Sequence, residues 1–169
     1  LAAAGGGSMK LEDSPRAFRN GLRYNTENEE HREEVSMIHT YEEYQTMPQS
    51  LTLEQMVQLH RELTEEIGQD EDALELYDLL LQNAVQYGQI RASWVLMTPS
   101  QRADADKGRT LQHNTLIDSF DMMARFLRSM GKPAAWRDAL GDNKTDRLAR
   151  KTIGDFGCYL AFVGGLTAR

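Results

Sequence analysis

The chain has 169 residues, of which 40% are hydrophobic, 27% charged and 8% aromatic. This composition fits one globular domain and excludes a disordered, collagen-like or disulfide-stabilised chain. The single cysteine is Cys158, no apolar run reaches about 18 residues, and no signal peptide opens the chain. We therefore expect a cytoplasmic protein without a membrane span.

The N-terminal region divides by composition into three parts. The first eight residues, LAAAGGGS, precede Met9 and resemble an artificial linker. We therefore expect residues 1–8 to be a linker, residues 9–28 to be a flexible segment, and residues 29–169 to form a single helical-bundle domain. Ser14 and Pro15 are typical of the start of a short helix within the flexible segment.

The domain is expected to be all-α, because no stretch alternates apolar and polar residues as a strand does. The pattern predicts a single-domain bundle of four to five main helices, plus short N-terminal and connecting helices. An acidic helix is predicted over 29–46, ending before Pro48. A second helix is predicted over about 52–67, where Gly68 ends it.

The next helix, from residue 70 or 71 to 97, is apolar around about two thirds of its circumference. A helix with so wide an apolar arc is surrounded by other helices, so it is predicted to be central. We expect four of its side chains to be almost inaccessible to water: Leu76, Leu80, Ala84 and Val95.

Three helical segments follow in the C-terminal half. Thr98 and Pro99 predict a short helix that Gly108 interrupts, followed by a strongly amphipathic helix over about 110–130. A brief helix is expected at about 134–140. The last helix begins near residue 145, and its glycines permit close contacts between helices.

Several polar residues fall at apolar angles of these helices, and they are the candidate site. Arg91 lies in the middle of the apolar arc of the central helix, and arginine keeps its charge, so it needs an acidic partner or an anionic ligand. Asp155 on the last helix is the expected partner. His60 and His113 lie on or beside the apolar faces of their own helices. We expect these four residues to form a buried polar cluster that is structural, with a ligand or catalytic site as the alternative.

Other polar residues are expected to be solvated. Asn114 falls on the side of its helix opposite the apolar stripe, with three charged residues. A basic patch at the start of the last helix is expected to pair with acids rather than to bind nucleic acid, because the chain is acidic overall. Its members are Lys144, Arg147, Arg150 and Lys151.

Two acidic pairs, Glu62-x-x-Glu65 and Glu75-x-x-Asp78, form a recognisable string. The string resembles the carboxylates with which all-α nucleotide pyrophosphohydrolases of the MazG type hold Mg²⁺, and it implies a Mg²⁺-dependent hydrolase. Helical angles nevertheless place all four side chains on polar faces, whereas a metal site in a bundle needs inward carboxylates. A solvated face is therefore the main expectation, with no metal and no cofactor, and Mg²⁺ belongs to the alternative alone.

Charge is distributed unevenly along the chain, which has a net charge of −7. Residues 27–78 carry sixteen acidic and two basic groups, whereas residues 79–169 carry eight and thirteen. Opposed charges indicate two halves that pack on each other, two chains that associate, or a surface that repels nucleic acid, and the first of these is the main interpretation. The first hypothesis for function is a non-catalytic homodimer or protein-interaction module. The alternatives are the Mg²⁺-dependent hydrolase and an acidic mimic of nucleic acid. The sequence leaves enzymatic activity open.

Overall fold

The structure is a computed structural model that describes residues 51–143 and 146–167. Within these residues it contains five α-helices and no strand, which confirms the all-α fold class. The expected linker, the flexible segment and the helix predicted over 29–46 lie outside the described residues. The helices are α1 Leu53–Ile67, α2 Glu71–Trp94, α3 Pro99–Ser129, α4 Ala135–Ala139 and α5 Arg147–Thr167.

The starts of the first three helices follow from local side-chain chemistry. Thr52 and Thr98 each accept a hydrogen bond from the backbone three residues later, and the glutamine at that position bonds back to the threonine backbone. Asp70 caps α2 in the simpler way, through the backbone N–H of Ala73. These caps satisfy backbone groups that a helix leaves free at its start.

Among the described residues, the helix α2 packs against two helices but is not surrounded by helices, contrary to what its wide apolar arc predicts, because Leu74 and Val85 on that arc are 39% and 37% exposed. It packs against α3 on one side and α5 on the other, while α3 and α5 touch each other much less. Leu76, Leu80 and Ala84 are buried, which confirms three of the four expected core positions. The expectation that Val95 is buried is wrong. The helix α2 ends at Trp94 rather than at residue 97, and Val95 is 57% exposed.

The helix α3 is continuous, so the interruption expected at Gly108 is wrong. Gly108 is exposed and has no atom near the position of a Cβ. A glycine inside a helix costs only about 1 kcal/mol relative to alanine. The packing of the apolar residues that follow it in α3 outweighs that cost.

The helix α5 approaches α3 closely at one glycine. A Cβ at Gly157 would lie 2.5 Å from Cδ2 of Leu116, closer than atoms of two side chains pack. The expectation that glycines of the last helix permit close contact is therefore confirmed at Gly157.

The short helix α4 is connected to α1 by one carboxylate. Glu66 accepts hydrogen bonds from the backbone N–H of Ala134 and from Nε1 of Trp136, which is completely buried. Ala134 has a positive φ of 46°, a conformation that L-residues other than glycine seldom adopt. Among the described residues, no helix is long and apolar enough to cross a membrane.

Candidate functional site

Arg91 and Asp155 form an ion pair between α2 and α5. The guanidinium Nη1 donates to Oδ1 of Asp155 at 2.7 Å, and Nζ of Lys151 donates to the other carboxylate oxygen at 2.8 Å. The pairing predicted from the sequence is confirmed. The expected full burial of the pair is not confirmed, because the side chains of Arg91 and Asp155 are 24% and 16% exposed.

His113 joins this ion pair through the ring of Tyr87. The imidazole stacks on the Tyr87 ring with 4.8 Å between centroids, and Cζ of Arg91 lies 5.9 Å from the centre of the same ring. Tyr87 and His113 are both buried. We call this group, formed by Tyr87, Arg91, His113, Lys151 and Asp155, the Arg91 cluster.

Burial and positive charge keep His113 neutral. Loss of hydration lowers the pKa of its imidazole well below 6.5, and Arg150, Arg109 and Arg91 lower it further, while a hydrogen bond with the backbone of Arg150 opposes them. Its Nε2 is buried and has no hydrogen-bond partner among the described residues. A proton on this nitrogen would be a buried charge next to three cations, which is costly.

His60 does not join the Arg91 cluster. Of the four residues expected to form one cluster, only Arg91, His113 and Asp155 lie together. The Nε2 of His60 shares a hydrogen bond of 3.1 Å with Oη of Tyr77, and its ring meets Tyr159 edge-on with 6.0 Å between centroids. Tyr77 and Arg91 are fourteen residues apart on α2, which corresponds to about 21 Å along the helix. Burial lowers the pKa of His60, and burial together with Asp78 and Tyr159 raises that of Tyr77 to about 12.

A buried polar contact between α3 and α5 was not predicted from the sequence. Arg150 is 6% exposed and donates to Oδ1 of Asn114 at 3.0 Å and to the backbone oxygen of Asn143 at 3.2 Å. Asn114 and Arg150 were both expected to be solvated, and this expectation is wrong because both side chains are buried. The buried arc of α3 is wider than one stripe because both α2 and α5 pack against it.

The four carboxylates of the MazG-like string do not form one site. Glu65, Glu75 and Asp78 are exposed, and Glu62 is half-buried and accepts a hydrogen bond from Gln58. In the two described ranges, no three His, Cys, Asp or Glu side chains are grouped so that they could hold a metal ion.

A depression of about 360 Å³ lies on the surface between the end of α3 and the region after α4. Its arginines are paired with its own acids: Arg137 with Asp121, and Arg128 with Asp138. The depression is separate from the Arg91 cluster, none of whose residues lines it.

The outer surface of the α2–α5 pair carries no charge along about half of each helix. Residues 79–90 of α2 and residues 156–167 of α5 contain no Asp, Glu, Lys or Arg. The two stretches run antiparallel, since Gly88 approaches Ala161 and Gly164 approaches Leu81.

This surface contains two exposed apolar side chains. Phe162 is 67% exposed and Val85 is 37% exposed. Helical geometry places both on the side away from α3, because Tyr87 and Gly157, which contact α3, lie on the opposite sides of their helices. We call this surface the neutral face; its exposed members are Gln82, Val85, Gln86, Gln89, Phe162 and Gly165.

Comparisons with protein-family models, with curated proteins and with solved structures give no match to this chain.

Proposed function

We propose that this protein is a non-catalytic, cytoplasmic self-association module in which the neutral face of one copy packs against that of a second copy. The observation that carries the proposal is the 67% exposure of Phe162 within a surface that lacks charge. Large aromatic side chains are enriched at the centres of protein interfaces, and charged residues are depleted there.

The charge of the whole chain supports a second copy as the occupant. With a net charge of −7, two copies repel each other at most orientations. On the neutral face, an approaching copy meets glutamine, valine, phenylalanine and glycine instead of carboxylates. Gly165 has open space around it, which permits close approach of a second helix.

The Arg91 cluster has a structural role in this proposal. It joins α2 to α5 beside the neutral face through the Arg91–Asp155 ion pair and through Lys151. Two helices fixed in this way present a rigid surface, and rigidity lowers the entropic cost of association. The cytoplasmic location rests on the single unpaired Cys158.

Light scattering on the full chain tests the proposal by comparing two variants. Phe162→Asp places a charge in the neutral face and is expected to reduce the mass from twice 19.2 kDa to 19.2 kDa. Leu111→Asp is the matched control, because Leu111 is 49% exposed on α3, outside the neutral face, and this variant should stay dimeric. Circular dichroism confirms that both variants remain helical.

The proposal is overturned if the unsubstituted chain is monomeric at micromolar concentration. It is also overturned if the two variants dissociate equally, since the neutral face would then have no special role.

A further inference from the structure

The connection between α2 and α3 exposes apolar side chains to water. Leu96 is 86% exposed and Val95 is 57% exposed, while Met97 beside them is half-buried. Among the large hydrophobic residues of the described chain, Leu96 is the most exposed. Apolar patches that polar residues surround are typical of interaction sites. We call residues 95–97 the apolar tip.

The backbone of the apolar tip is hydrogen-bonded within the chain. The N–H of Leu96 donates to the carbonyl oxygen of Ser93 at 3.0 Å, and the N–H of Met97 donates to that of Trp94 at 3.2 Å. The same Trp94 oxygen accepts a hydrogen bond of 3.1 Å from Nε of Arg102. Backbone groups that enter lipid must have such internal partners, because no water is present there to bind them. The tip therefore meets the main requirement for leaving water.

Basic residues surround the apolar tip. The helix α3 begins directly after it, and the ion pair of Arg91 with Asp155 places the first half of α5 beside the last turns of α2. Residues 91–111 and 146–155 together contain seven basic and four acidic residues, although the whole chain has a net charge of −7. Lys107 and Arg147 are exposed members of this basic region. This end of the molecule therefore attracts anions.

We propose that the apolar tip inserts into the surface of an anionic lipid bilayer and that the basic residues around it bind the lipid headgroups. Leu96 and Val95 leave water for the boundary between headgroups and acyl chains. The cations on α3 and α5 remain at the level of the headgroups. Burial of apolar area and attraction to anionic lipid are the two sources of affinity for proteins that bind a membrane surface.

The acidic part of the chain lies far from the apolar tip. Asp78, the last acidic residue of α2, precedes Val95 by seventeen residues, which corresponds to about 25 Å along the helix. At physiological ionic strength, charges are screened over about 8 Å. Repulsion between these carboxylates and the membrane is therefore weak when the tip faces the bilayer.

A bilayer fits the apolar tip better than a second protein does. The tip is a short turn between two helices, whereas a stable protein interface takes about 800 Å² from each partner. A bilayer accepts a protruding apolar side chain without a surface of complementary shape. This inference is independent of the neutral face, which lies on residues 79–90 and 156–167.

Co-sedimentation of the full chain with lipid vesicles tests the proposal. We expect binding to vesicles of equal parts phosphatidylcholine and phosphatidylserine, and at least roughly tenfold weaker binding to phosphatidylcholine alone. Leu96→Asp should weaken binding to the anionic vesicles roughly tenfold or more, because a carboxylate replaces the inserted side chain. Leu53→Asp is the matched control, since Leu53 is 68% exposed on α1 and the variant adds the same charge away from the tip.

A second pair of variants tests the basic region. Lys107→Glu should weaken binding to the anionic vesicles roughly fivefold or more. Lys132→Glu makes the same change in charge at an exposed position beyond the other end of α3, and it should alter binding little. Circular dichroism confirms that all four variants remain helical.

Three results with vesicles overturn the proposal: no binding to the anionic vesicles, equal binding to the two kinds of vesicle, or equal losses in Leu96→Asp and Leu53→Asp. A lower particle mass of Leu96→Asp without lipid also overturns it, because the tip would then be a contact between proteins. Phe162→Asp leaves the tip intact and should still bind the anionic vesicles, so this proposal and that of self-association fail separately.

Discussion

His113 lies in surroundings that differ strongly from those of a free side chain. It is 2% exposed, stacks on Tyr87, and lies near enough to Arg91, Arg109 and Arg150 for all three to lower its pKa. Its neutral form is therefore part of the folded structure. A core histidine of this kind makes the stability of the fold depend on pH.

The free energy of unfolding should fall as the pH falls below about 6.5. Because the pKa of His113 is well below 6.5 in the folded chain and near 6.5 in the unfolded chain, the unfolded chain binds the proton first. Each such group changes the free energy of unfolding by at most about 1.4 kcal/mol per pH unit. Urea melts between pH 7 and pH 5 measure the slope.

His113→Leu should flatten that slope, whereas His60→Gln should flatten it less. The pKa of His60 is also lowered, with the same sign, but only burial lowers it and the side chain is half-buried. Equal slopes in the native chain and in His113→Leu would show that His113 is not the titrating group.

The Arg91–Asp155 pair should show coupling in a double-mutant cycle. From the sequence, which placed Arg91 in the middle of an apolar arc, one expects about 3–5 kcal/mol for each single alanine variant. The exposure of 24% and 16% and the second cation at Asp155 reduce this to about 1–3 kcal/mol. The double variant should lose less than the sum of the two. Additive losses in denaturant melts would mean that the two side chains do not interact in solution.

Leu80 is the core position at which the location of α2 is tested most simply. Its side chain is 0% exposed. Leu80→Ala should lower the free energy of unfolding by about 2–5 kcal/mol, from lost burial and the cavity left behind. Val95→Ala is the contrasting variant, because Val95 is 57% exposed and its truncation should change little. Similar losses for the two variants would contradict the burial of Leu80 between α2 and its neighbouring helices.

At the scale of the element, two helical glycines should respond in opposite directions to alanine. Gly157→Ala inserts a methyl group 2.5 Å from Leu116 and should destabilise the protein by about 1–2 kcal/mol net of the better helix propensity. Gly108→Ala meets no atom and should stabilise it by about 0.5–1 kcal/mol. Thermal melts of both variants decide this; a stabilising Gly157→Ala would mean that α3 and α5 pack less closely than described.

The helices themselves were largely predictable, because their caps and apolar stripes are local features. Thr52 and Thr98 begin helices through hydrogen bonds to residues three positions away. The Arg91–Asp155 pair was also predictable, since a charge at an apolar angle requires a partner on a neighbouring helix.

Contacts that depend on how helices cross were not predictable. Asn114 and Arg150 meet because α5 packs across α3, which no periodicity within one helix shows. His60 lies apart from Arg91 because its helix reaches α2 near Tyr77. The link from Glu66 to Trp136 spans 70 residues of sequence, and an apolar stripe contains no information about it.

At the scale of the whole molecule, charge divides the described chain. Residues 52–78 carry nine acidic residues and one basic residue, whereas residues 79–90 and 156–167 carry none of either sign. Under the proposed self-association, the acidic surface would keep copies apart and the uncharged surface would be the one through which they meet.

Sedimentation equilibrium of the full, unsubstituted chain across the micromolar range tests this account most directly. Association through the neutral face predicts a mass of twice 19.2 kDa that falls towards 19.2 kDa on dilution. A mass of 19.2 kDa at every concentration would contradict it.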